Sequence, residues 1–212
     1  MRAGKRRVEA DWGVEIGPDL ASIDASWDGW VDLRSHPQLI GQIVETERRP
    51  ALRAALLELN GEGSPVFTSK CDVWTLAAGE IDPLEFDAAP EECGAGVACY
   101  VDGLACDAAV FRSFAQHEAW ARQAALELRG VAGENARVDL VVRAAGFRGG
   151  EGFGITLYVA GCGRDTPAAE TAWGAALRAA AAATIRVARS FPVPGISPAG
   201  PEARKTVQPA GE

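Results

Sequence analysis

The chain has 212 residues, 48% of them apolar and 24% charged, with a net charge of −8. That balance belongs to a folded globular protein, and its acidity argues against nucleic acid and for a protein partner with a basic surface. No apolar run approaches the roughly 20 residues of a membrane span and none follows the basic N-terminus, so no membrane association is expected and a cytoplasmic location is.

The cluster Arg2, Lys5, Arg6 and Arg7 opens a segment, residues 1–11, expected to be a solvated, disordered end. Val14 and Ile16 then hint at a short strand that Gly17-Pro18 breaks. Ser26 to Leu33 is rich in tryptophan, and Trp30 and Asp32 alternating with Val31 and Leu33 suggest a second short strand. Pro37 starts a helical turn carrying Leu39, Ile40, Ile43 and Val44. Pro50 restarts a helix through Leu52, Ala55, Leu56 and Leu59, with Asn60-Gly61 as its C-cap pair. Val66 to Leu76 reads as a strand, with Phe67, Ser69, Cys71, Val73 and Thr75 on one side and Lys70, Asp72, Trp74 and Leu76 on the other. Residues 77–96 form an acidic loop that Ile81, Leu84 and Phe86 can pin to a surface.

The cleanest periodicity runs from Val97 to Arg189. Val97, Cys99 and Val101 alternate as a strand. Val110, Phe114, His117, Ala121, Ala124, Ala125 and Leu128 share one arc of a helix that Gly130 can stop. Val138, Leu140 and Val142, then Phe153, Ile155, Leu157 and Val159, make two strands joined through the glycine-rich stretch Gly146 to Gly152. The last helix starts at Thr166-Pro167, a hydroxyl N-cap followed by proline at the first helical position, and turns Trp173, Leu177, Ala180, Ala181, Thr184 and Ala188 inward; its alanines suggest a close approach to a neighbour. This order predicts an α+β fold, an antiparallel sheet with helices packed on one face, arranged as a ferredoxin-like split βαβ built from residues 66–190. The fourth strand must come from the N-terminal half. A single domain is expected over 12–190. Residues 191–212, with five prolines among Gly, Ala and Ser, are expected to be a disordered tail.

No motif fixes a reaction. The glycines of 146–154 lie between two strands, and no Gly-Lys-Ser/Thr follows, so a phosphate loop is disfavoured. Gly161-Cys162-Gly163-Arg164 does precede a helix, where either an anion site or a tight turn needing positive φ fits. A helix N-terminus and Arg164 favour a Cys162 thiolate; with only His36 and His117 as bases, Cys162 and His117 form the thiol version of a catalytic site. The apolar neighbours of His117 favour a structural imidazole instead. The five cysteines read as small buried hydrophobes, and Cys93, Cys99 and Cys106 lack the paired spacing of zinc ligands, so no metal and no cofactor are expected.

One constellation is indirect. If the strands share a sheet covered by helices on its apolar side, Lys70, Asp72, Trp74, Tyr100, Asp102, Asp139, Arg143, Thr156 and Tyr158 share the other face. Aromatics, carboxylates and an arginine together suit a recognition surface, with Asp72, Trp74, Tyr100, Asp102, Asp139, Arg143 and Tyr158 as binding residues. An ordinary solvated sheet face has the same alternation. The reading is a non-catalytic protein-binding module of inhibitor or immunity type, using this face or loop 77–96. The alternative is a small enzyme using the carboxylate cluster or Cys162.

Overall fold

The computed structural model describes residues 8–129 and 135–191. Six strands make one sheet: β1 (Glu9–Glu15), β2 (Ile23–Asp24), β3 (Val66–Ala77), β4 (Ala95–Ala105), β5 (Ala136–Phe147) and β6 (Gly150–Gly163). Their order is β1-β5-β6-β4-β3, with β2 also on β5 beyond the end of β1. Four helices accompany them: α1 (Pro50–Leu59), the single-turn α2 (Ala108–Phe111), α3 (Phe114–Arg129) and α4 (Thr166–Ser190). Among them none is long and apolar enough to cross a membrane.

The fold is α+β, as expected, but the sheet is mixed. β3, β4, β6 and β5 pair antiparallel, whereas β1 and β2 both run parallel to β5. The expectation of an antiparallel sheet is corrected there: the parallel strands come from the segment read as a frayed end, a short strand at Val14 and Ile16, and a turn. Val8 and Ala10 are buried, and Glu9 to Asp11 are strand rather than disordered. Ser26 to Leu33 is not a strand; it is a series of turns. The tail from residue 192 and Gly130 lie outside the described residues.

Helices α1, α3 and α4 cover one face, because every second residue of the strands there is apolar. Val97, Cys99 and Val101 of β4, Ile155, Leu157 and Val159 of β6, and Val138, Leu140 and Val142 of β5 meet Trp120, Ala121, Ala124 and Leu128 of α3 and Trp173, Leu177, Ala180 and Ala181 of α4. The expected single helix over 110–128 is broken at Arg112-Ser113: the Asp107 carboxylate caps α2 and the Ser113 hydroxyl accepts from Gln116 N at the start of α3. The glycine-rich hairpin is tighter than its composition suggests. Only Arg148 and Gly149 form the turn, both at positive φ (51° and 76°), and the flanking glycines belong to the strands.

Candidate functional site

The face away from the helices is a floor between two rims. At one end Ile23, Ala25 and Trp30 lie over Phe67, Leu104, Gly154 and Phe147, and the Trp30, Phe67 and Phe147 rings pack together. At the other end, 3-10 turns at Ala78–Glu80, Pro83–Phe86 and Pro90–Glu92 fold the acidic loop back, with Ile81, Phe86 and Cys93 buried against Leu76, Ala160 and Cys162. Backbone register fixes what lies between. One row runs Asp72, Tyr100, Tyr158, Asp139, Asp11; its neighbours run Trp74, Ala98, Ala160, Arg137, Glu9 and Asp102, Thr156, Val141, Gly13.

The predicted binding residues Asp72, Trp74, Tyr100, Asp102, Asp139, Arg143 and Tyr158 therefore share one face. They do not converge as a catalytic carboxylate set. Asp72 and Asp139 are separated by the two tyrosine positions, three strand spacings or about 14 Å. The Tyr100 and Tyr158 rings pack between them, tilted by 51° with centroids 6.2 Å apart, and burial, with Asp102 and Asp72 close by, raises the Tyr100 phenol above its ordinary pKa. Asp139 is engaged by Arg137 at 2.8 Å, and Arg137 also holds Glu85 of the loop at 2.9 Å. Arg143 donates to the Tyr158 hydroxyl (3.1 Å) and pairs with Glu15 (2.6 Å), while its buried Nε has no hydrogen-bond partner.

Asp102 is buried in this floor, and the Thr156 hydroxyl donates to its carboxylate at 2.6 Å. Burial raises its pKa, opposed by that hydrogen bond and by the Arg143 and Lys70 charges. A raised folded pKa means the cost of the buried charge is present above that pKa and is relieved as pH falls through it towards the ordinary 3.8. Asp102→Asn keeps an acceptor for Thr156 and removes the charge. Its urea midpoint is expected to exceed that of the wild type at neutral pH by the equivalent of about 1 kcal/mol, a gain that shrinks as pH falls towards 3.8. An unchanged midpoint at neutral pH overturns this.

Where the loop meets the floor there is a cavity of about 250 Å³. Ala98 and Ala160 leave it open below, Trp74 and Tyr158 wall it from β3 and β6, Arg137 and Asp139 from β5, and Glu80, Glu85 and Phe86 from the loop. Trp74 is 39% exposed, a large aromatic surface left uncovered. Sequence reading offered loop 77–96 as a whole but did not single out Glu80, Glu85, Phe86 or Arg137 as site residues. Arg137 carried a usable signal, the same alternation that picked out Asp139; the loop residues carried none, since 3-10 turns have no apolar period. No family model, no curated protein and no solved structure matches the chain.

The thiol alternative is not assembled. His117 packs on the helix side against Phe153 and Trp120, whereas Cys162 lies on the opposite face, nine residues or about 30 Å further along β6, in contact with Cys93. The Cys162 thiol is pushed up to about 12, first by burial and then by Cys93, the reverse of nucleophile activation. The anion site before α4 is likewise filled by the chain itself: Asp165, not Thr166, is the N-cap, and its carboxylate accepts from Ala168 N. Gly161 and Gly163 are there because α4 passes directly over them, with neither at positive φ. Among the described residues no group of three or more His, Cys, Asp or Glu side chains is placed to hold a metal ion.

Proposed function

We propose that this protein is a non-catalytic binding module, of inhibitor or immunity type and cytoplasmic, which presents the open sheet face and the 77–94 loop to a protein partner with a basic surface. The observation that carries this reading is the cavity between loop and floor. Its walls combine the exposed Trp74 indole and Tyr158 with the carboxylates of Glu80, Glu85 and Asp139, against the single cation Arg137. Its volume suits one lysine or arginine side chain, held by a ring face and by carboxylates. The acidic residues around it would steer a basic partner towards the face and would make association sensitive to salt.

The test is retention of proteins from a lysate of the source cell on immobilised wild type, beside variants first shown to be folded. A protein held by the wild type is expected to be lost by the Asp72→Ala/Asp102→Ala/Asp139→Ala triple variant. Trp74→Ala is expected to weaken its binding by about threefold to fivefold, the size of an exposed cation–π contact. Equal retention by all three proteins removes the sheet face as an interface.

A further inference from the structure

We infer that Cys93 and Cys162 form an oxidisable dithiol, which small-molecule disulfides convert into a cross-link between the 77–94 loop and β6. The two Sγ atoms stand 3.0 Å apart, so a bond of about 2.05 Å needs a closing movement of only about 1 Å. They come from different elements. Cys93 follows the 3-10 turn Pro90–Glu92, and Cys162 sits in β6 opposite Gly96, where Asn135 O accepts from its backbone N–H at 2.8 Å. Both are buried with Ile81 and Phe86 in a small cluster separate from the main core. The other three cysteines are elsewhere: Cys71 is in β3 opposite Val101, Cys99 faces the Trp173 indole on the helix side, and Cys106 lies past the far end of β4 beside Arg34.

Cys162 borders a cavity of about 660 Å³ at the start of α4, with the exposed Arg164 at its edge, but the residue is only 1% exposed and its thiol points to the opposite face, so local opening of the loop admits the oxidant. The Cys162 thiolate attacks one sulfur of the small disulfide, forming a mixed disulfide and releasing one thiolate. The Cys93 thiolate then attacks the Cys162 sulfur of that intermediate, closes the Cys93–Cys162 bond and expels the second thiolate. The protein loses two electrons and two protons; the small disulfide gains them as two thiols. Because burial holds the Cys162 thiol protonated at neutral pH, the first step speeds up as pH rises. The cross-link would fix the loop that supplies Glu80, Glu85 and Phe86 to the cavity over Ala98 and Ala160.

The experiment equilibrates the full chain in oxidised and reduced glutathione at stepped ratios, quenches with acid, and maps thiols and disulfides by peptide mass spectrometry. Expected are a Cys93–Cys162 linked peptide, an intact mass lower by two hydrogens, and a thermal midpoint several degrees above that of the reduced chain. Formation should be faster at about pH 9 than at about pH 7, should persist in Cys106→Ser, and should vanish in Cys93→Ser and in Cys162→Ser. The inference is overturned if Cys93 and Cys162 remain free thiols in buffers that fully modify Cys106. Glutathione adducts without the linkage overturn it equally.

Discussion

Gly161→Ala is expected to lower the stability of the fold by about 3 kcal/mol, read as a shift of the urea midpoint. A Cβ at Gly161 would stand 2.6 Å from the Cα of Trp173 and closer still to its backbone nitrogen. These atoms belong to the helix itself and have no rotamer to escape through. Relief therefore requires α4 to lift from β6, and α4 carries Trp173, Leu177, Ala180, Ala181 and Thr184 into the core. Gly163 repeats the arrangement one turn earlier, where a Cβ would meet the Ala168 carbonyl carbon at 2.7 Å. The alanines of the helix and the glycines of the strand are thus two halves of one close contact, since each missing side chain shortens the distance between helix and sheet. Gly146→Ala is the control. It has nothing within 4 Å of an added Cβ and an ordinary φ, so its effect should stay within about 0.5 kcal/mol. Equal midpoints for the two variants would mean that α4 does not lie this close to β6.

Period-2 alternation placed Asp72, Tyr100, Asp139 and Tyr158 on one face, and the register aligns all four in one row. Such a reading works wherever a strand is regular, because side-chain direction is then a matter of counting. It fails at Phe67. Between Thr68 and Cys71 β3 carries an extra residue relative to β4, so Phe67, read as sharing a side with Cys71, instead pairs with Leu104 on the open face and packs on Trp30 and Phe147. A bulge of this kind leaves no mark in the local sequence. Its surroundings explain a second misreading. The Trp30 and Trp27 indoles donate to Thr68 O and Ser69 O (3.1 and 3.5 Å), so the tryptophans of 26–33 serve carbonyls of an irregular edge rather than a strand of their own. The parallel docking of β1 on β5 joins Glu9 to Arg137 across most of the described chain. No local pattern encodes a pairing of that range, so neither the mixed sheet nor the Asp11 end of the polar row was legible beforehand. The contact between Cys93 and Cys162 was hidden for the same reason.

His117 should give the protein an acid limb of instability that starts near pH 6.5, the ordinary imidazole value. The side chain is 0% exposed. Its Nδ1 lies 3.0 Å from Ser113 O, so that nitrogen carries the proton and donates, while the buried Nε2 has no partner. A second proton would create a buried N–H without an acceptor and a charge among the Trp120 and Phe153 rings. Burial accordingly depresses the folded pKa, with the Ser113 hydrogen bond opposing it. The unfolded chain then takes up the proton first. Stability from the neutral imidazole is complete above 6.5 and is lost as pH falls from there towards the folded value, by up to about 1.4 kcal/mol per pH unit. Asp102 works in the other direction, since its buried charge is relieved by acid, but the relief proceeds only down towards 3.8. Urea midpoints measured from pH 7.5 downwards should fall for the wild type and run flat over the imidazole window for His117→Phe, which fills the same space without a titrating group. Parallel curves would mean that the imidazole is not held neutral by the fold. An imidazole held neutral at Nε2, on the far side of the sheet from Cys162, has neither the basicity nor the position to accept that thiol's proton, so the slope that reports its burial also argues against the cysteine–histidine enzyme.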